Sequence, residues 1–135
     1  MVTFLDGESV WSGQERSVEF ALARRALLRE FHRGRIARAE LCDAQPELMR
    51  AAINLGEAKG DPCPVCEADS LVSVMYAFGP KLPAHGRCLS SAKEMAKLVQ
   101  LSTQTKVYEV EVCLKCRWNH LERMITPFED DAASA

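Results

Sequence analysis

Cys63-Pro64-Val65-Cys66 and Cys113-Leu114-Lys115-Cys116 are the two stretches on which the reading of this chain turns. A two-residue gap lets both sulfurs of a pair reach one ion from a single tight turn, and four thiolates close a tetrahedral shell around it. One such pair occurs in redox motifs and by chance. Two pairs, each joined to a strand pattern, predict one shared site made of Cys63, Cys66, Cys113 and Cys116, holding one structural zinc ion. Zinc is favoured over iron because both pairs sit in short turns of a ribbon pattern, although ligand type alone does not separate the two metals. Disulfides need an oxidising compartment, and nothing in the sequence points to one.

Outward from the first pair, Val72, Val74, Tyr76 and Phe78 alternate with Leu71, Ser73, Met75 and Ala77, which predicts a strand. Lys106 to Val112 alternates again and runs into the second pair. Trp118 to Ile125 reads as a third strand, ended by Pro127. Gly79 to Cys88 reads as a loop. Ser91-Ala92-Lys93-Glu94 has capping-box spacing and opens a helix with Met95, Leu98 and Val99 inward, a helical insertion at about 90–104. Knuckle, strand, insertion, strand into a second knuckle and final strand is zinc-ribbon order, over 61–127. His85, Cys88 and His120 are rival ligands. A second site would need Cys42 and His32 as well, so these groups are read as a loop thiol and hydrogen-bonded or surface histidines.

The other half has helical period. Residues 1–12 read as a flexible tail carrying Phe4 and Trp11. Ser12-Gly13-Gln14-Glu15 has capping-box spacing, and a helix from about Gln14 to Arg33 is predicted behind it. Phe20, Ala23, Leu27 and Phe31 form its apolar stripe, with Arg25, Arg29 and Arg33 as a ridge on nearly the opposite side. Gly34 terminates it. A short helix spans about Ile36 to Cys42. Pro46 with Glu47 starts a third helix that buries Leu48, Ala52 and Leu55 and ends at Gly56. Glu57 to Asp61 reads as a linker. The predicted fold is therefore α+β: a three-helix segment over 13–57, then a small antiparallel zinc-ribbon-like sheet, then an acidic disordered tail over 128–135.

Composition supports one small folded unit. Of 135 residues, 47% are apolar and 27% charged, as in ordinary globular chains. A half of about 60 residues buries too little surface to be secure alone. A structural zinc, at about 10–16 kcal/mol of apparent binding free energy, makes up that deficit. No signal-peptide pattern and no membrane-length apolar run is present, so the cytoplasm is the expected location.

The net charge of −2 conceals an asymmetry: seven arginines from Arg16 to Arg38 face only Glu19 and Glu30, whereas Glu129-Asp130-Asp131 is acidic. An anionic partner for the helical segment is the inference. Catalysis is not indicated. There is no phosphate-binding Gly-rich loop, no nucleophile elbow and no His-Glu-x-x-His, and a thioredoxin-like βαβ pattern around Cys-Pro-x-Cys is absent. Four thiolates also leave a zinc ion no open position for water.

Ala21-Leu22-Ala23-Arg24-Arg25, Glu40-Leu41-Cys42-Asp43-Ala44, Leu48 to Ala52, Cys63-Pro64-Val65-Cys66 and Tyr108 to His120 together resemble a set of small actinobacterial proteins described as a domain of unknown function. The similarity runs from about Val18 to Leu121. It implies a helical part joined to a zinc-ribbon-like part and, beyond that, no activity.

The expected function is thus a non-catalytic, zinc-stabilised binding protein without a small-molecule substrate or a membrane. Its partner would be a protein or protein–nucleic-acid complex of the transcription machinery, with RNA polymerase a candidate and direct nucleic-acid contact an option. Arg25, Arg29, Arg33, Arg35 and Arg38 would make the contacts, with Lys115, Arg117 and an exposed Trp118 beside the second knuckle. The alternatives are a protein-only adaptor using Phe4 and Trp11, and a zinc or thiol redox enzyme.

Overall fold

A computed structural model of the chain describes residues 15–80, 82–84, 86–89, 93, 94, 97 and 105–127. Besides the helical Lys93, Glu94 and Lys97, three helices and six strands are built from the described residues. In chain order these are β1 (Glu15–Glu19), α1 (Ala21–His32), α2 (Arg38–Leu41), α3 (Pro46–Leu55), β2 (Glu57–Ala58), β3 (Leu71–Phe78), β4 (Arg87–Leu89), β5 (Lys106–Cys113) and β6 (Asn119–Pro127). The strands form one antiparallel sheet in the order β1-β6-β5-β3-β2, and β4 also pairs with β3. The fold is mixed α and β.

Period-two alternation assigns the two faces. On one face, Leu71 and Cys113 join Trp118 in a cluster with Leu28 of α1 and Leu41 of α2. On the other face, Val72, Val74 and Val112 pack against Ala52 of α3, with Leu48 and Met49 beside it. Helices therefore cover both sides, which is why β3 carries buried residues on both its faces. At Gly56 the chain turns from α3 straight into β2. A Cβ there would stand 2.5 Å from the Ala52 carbonyl oxygen and 2.7 Å from Val72, so only glycine permits that turn.

Several expectations are corrected. The helix predicted from Gln14 begins at Ala21, because Glu15–Glu19 instead pairs with β6. The rest of the Ser12 capping box lies outside the described residues. The inward side of α1 is Arg24, Leu27, Leu28 and Phe31, and Ala23 is exposed. Leu55 ends α3 37% exposed rather than buried. The predicted linker supplies β2, and the predicted loop up to Cys88 contains most of β4. Since β1 lies within 13–57 and β2 starts at its last residue, yet they pair with β6 and β3, the helical segment and the linker behind it contribute strands to the sheet of 61–127. Of the expected insertion, Lys93, Glu94 and Lys97 are helical, whereas Met95, Leu98 and Val99 fall outside the described residues. Both tails do so as well, with Phe4, Trp11 and the Glu129–Asp131 run. Among the described residues no helix is long and apolar enough to cross a membrane.

Candidate metal centre

The first pair follows β2, and the second is the end of β5 and the turn behind it. Both make the same turn. The Cys63 N–H donates to the Ala68 carbonyl at 2.9 Å and the Cys113 N–H to the Trp118 carbonyl at 2.8 Å. The Glu67 N–H returns to the Cys63 carbonyl at 2.9 Å, as the Arg117 N–H does to Cys113 at 3.0 Å. Inside each turn two amides point at the first sulfur: Val65 and Cys66 at Cys63, and Lys115 and Cys116 at Cys113, over 3.3–3.5 Å. The residue closing each turn, Glu67 (φ 67°) or Arg117 (φ 76°), adopts the left-handed conformation that most side chains avoid.

Leu71 opposes Cys113 in the β3–β5 register, and the Leu114 N–H donates to the Ser70 carbonyl at 2.9 Å, so the turns meet at one end of the sheet. All four sulfurs lie within 4.8 Å of one another. Cys63 Sγ is 3.7 Å from Cys116 Sγ, and Cys66 Sγ is 3.7 Å from Cys113 Sγ. A tetrahedral ion with metal–sulfur bonds of about 2.3 Å sets its sulfurs about 3.8 Å apart, whereas a disulfide holds them at about 2.05 Å. The spacing suits a metal ion and no cross-link. Burial pushes the Cys63 and Cys116 thiols up, the close Cys42 and Cys63 sulfurs adding to the effect at Cys116. At Cys66, burial is outweighed by the Ala68 amide and the neighbouring thiols, and its thiol is lowered. A bound dication removes the conflict by stabilising all four as thiolates.

The rivals stand apart from this set. Cys88 lies on β4 against Tyr76, packed with the α3 cluster on the opposite face. His120 stacks on the Trp118 ring at 5.8 Å between centroids, its Nδ1 buried without a hydrogen-bond partner. His32 is exposed, and His85 lies outside the described residues. Cys42, by contrast, lies 3.5 Å from Cys116.

Trp118 does not face solvent, which removes it from the expected contact surface: it is 0% exposed, and its indole N–H donates to Glu111 Oε2 at 2.6 Å. Arg117 is exposed yet donates to the Ala44 carbonyl from Nε at 3.2 Å and Nη2 at 2.8 Å. Lys115 is exposed. Arg25, Arg29, Arg33, Arg35 and Arg38 are exposed too. Glu30 pairs with Arg33 at 3.8 Å and Arg35 at 3.3 Å, whereas Arg25, Arg29 and Arg38 have no carboxylate partner among the described residues.

A second constellation escaped the sequence reading. Fully buried Glu111 accepts from Arg24 Nε at 2.9 Å and Lys59 Nζ at 3.1 Å, besides Trp118, and Lys59 also pairs with Glu122. Arg24, Lys59, Glu111 and Glu122 line a cavity of about 420 Å³ together with Glu109 and Arg123, which pair at 2.8 Å. Between Val110↔Leu121 and Glu109↔Arg123 the β6 strand carries one extra residue, Glu122, and this bulge turns Glu122 and Arg123 to the same face. Burial alone would raise Glu111, but hydrogen bonds from Glu122, Trp118 and Arg24 and the charge of Lys59 bring it down to about 2. Glu122 is raised, by burial and then by Glu111. Arg24 had no role in the sequence reading and Lys59 read as linker, because their partners are remote in sequence. The one available signal was Glu111 at an inward position of an alternating strand.

The fold and the four-thiol cluster thus define a small α+β protein with a potential metal centre in its core. The chain belongs to a family of unknown function, DUF5318, whose model matches residues 12–132. It is 38% identical over 104 residues to uncharacterised proteins of Mycobacterium tuberculosis (Rv0049) and Mycobacterium bovis (Mb0050), covering 77% of this chain and 76% of each relative. No solved structure matches the chain.

Proposed function

We propose that the protein is a non-catalytic binding protein whose core is tied by one structural zinc ion, and that it docks through α1 and α2 onto an anionic partner. The observation that carries the metal reading is the 3.7 Å pairing of sulfurs across two turns with the same hydrogen bonds. Cys63 and Cys113 would be the buried ligands, and Cys66 and Cys116 the half-buried ones. A zinc ribbon describes this arrangement of knuckles and strands. Four sulfur ligands leave no position for substrate or water, which favours a structural role over an enzyme.

The docking face rests on Arg25, Arg29 and Arg38, charged groups that the described residues leave without carboxylate partners. Guanidinium groups suit phosphate and carboxylate equally, and a nucleic-acid complex such as the transcription machinery is the partner class we favour. The test is retention of labelled duplex DNA and single-stranded RNA against salt, comparing wild type with the triple variant Arg25→Ala, Arg29→Ala, Arg33→Ala. Binding that falls steeply with salt and is lost in the variant supports the reading. Equal, salt-insensitive behaviour of both proteins contradicts it.

A further inference from the structure

Cys42 follows α2 and packs, half-buried, into the cluster that holds the four knuckle cysteines. Its sulfur is nearer to Cys116, at 3.5 Å, than the Cys63 sulfur is at 3.7 Å. Yet Cys42 is not among the four sulfurs lying mutually within 4.8 Å, so it abuts one ligand from outside the shell. The approach is held on both sides. The Ala44 N–H donates to the Arg117 carbonyl at 3.1 Å, Arg117 donates back to the Ala44 carbonyl, and Asn119 Nδ2 donates to Asp43 Oδ1 at 3.0 Å. Closing the two sulfurs to bonding distance takes a shift of about 1.5 Å. Cys42, Cys66 and Cys116 are half-buried, whereas Cys63 and Cys113 are buried, and of the two half-buried ligands Cys116 is the one with the Cys42 sulfur beside it. A small oxidant therefore meets Cys116 before it meets the inner ligands.

We propose that Cys42 and Cys116 form an oxidation site, at which a peroxide converts the metal centre's outer ligand into a Cys42–Cys116 disulfide. The Cys116 thiolate attacks one peroxide oxygen; the O–O bond breaks, hydroxide leaves and a sulfenic acid forms. The Cys42 sulfur then attacks the sulfenic sulfur, the S–O bond breaks, and the Cys42 proton leaves with the hydroxyl as water. Two thiol sulfurs are oxidised, and one hydrogen peroxide is reduced to water and hydroxide. The metal is left with three thiolates, and α2 becomes covalently tied to the second knuckle. Metal release and the thiolate form of Cys116 rest on the zinc centre proposed above; the pairing of Cys42 with Cys116 rests on the thiol geometry alone.

The experiment treats reduced protein, with its zinc content measured first, with hydrogen peroxide. It maps disulfides by mass spectrometry after alkylation and follows zinc release with a chromogenic chelator. Cys42–Cys116 is expected as the first cross-link, with Cys88 still open to alkylation. Cys42→Ser should start with the same zinc content and release it about tenfold more slowly, because the Cys116 sulfenic acid lacks its nearest resolving thiol, the one outside the metal shell. Cys42→Ala, checked for melting temperature, repeats the comparison without a polar side chain. A first cross-link within Cys63–Cys66 or Cys113–Cys116 overturns the proposal, as does unchanged release in both variants. Protein that holds no zinc but forms the Cys42–Cys116 link overturns the metal centre and supports the oxidation site.

Discussion

Trp118 donates its indole N–H to Glu111 Oε2 across 2.6 Å, and that bond joins the second knuckle to the charged network under α1. The ring belongs to the same buried cluster as Cys63 and Cys113. Any change that loosens Glu111 should therefore be felt at the metal centre, and the reverse.

Removing the Glu111 charge leaves Arg24 facing a cavity without its carboxylate partner and Lys59 with Glu122 alone. Breaking a buried ion pair costs about 3–5 kcal/mol, and both cations here keep some contact with water, so Glu111→Gln should cost about 3 kcal/mol. The urea midpoint should fall by that amount, with Trp118 fluorescence shifting in the same transition. A loss under about 1 kcal/mol would show the network to be dispensable.

The two carboxyls titrate in opposite senses. The folded value of Glu111, about 2, lies below its ordinary 4.5, so its stabilisation is full above 4.5 and fades as pH falls towards 2. Glu122 is raised above 4.5. Between 4.5 and its folded value the native state binds the extra proton, so stability declines as pH climbs through that window. Melting temperature followed upward from pH 4.5 should show this decline in wild type and lose it in Glu122→Gln. Parallel profiles would contradict the assignment. For Glu111 the quantity to compare is the difference between wild type and Glu111→Gln, since metal loss in acid affects both.

How legible this was from sequence depends on where each residue's partner lies. Pro46 and Gly56 bracket α3 by local chemistry, and the alternation of β3 and β5 announces itself. The four cysteines carry their own spacing. By contrast, Glu15–Glu19 is a polar segment whose partner strand among the described residues is β6, at the far end of the described chain, and local pattern favoured a helix start there. Arg24 and Glu111 are 87 positions apart, Lys59 and Glu111 52. A charged residue looks solvated until its remote counter-charge is known. Trp118 next to Arg117 and Lys115 looked exposed for the same reason.

The exposed arginines carry little of the fold. Arg25→Ala, Arg29→Ala, Arg33→Ala should change stability by about 0.5 kcal/mol or less per site and leave zinc content unchanged, because among the described residues Arg25 and Arg29 lack carboxylate partners and Arg33 has a surface contact. Arg24→Ala, one residue from Arg25, should be markedly worse, since Arg24 reaches Glu111. Melting curves of the two variants side by side check this. A reversed order would mean that the inward and outward sides of α1 are wrongly assigned.

The central claim is one zinc held by two knuckles, and elemental analysis of protein purified without added metal tests it most directly. The account predicts close to one zinc per chain, retained in Cys88→Ser, Cys42→Ser and His120→Ala. Zinc should be lost in Cys63→Ser and Cys113→Ser together with the fold around the knuckles, because binding and folding are coupled there. Fully folded protein without metal would contradict the account, and so would a Cys88→Ser variant that loses zinc as completely as Cys63→Ser.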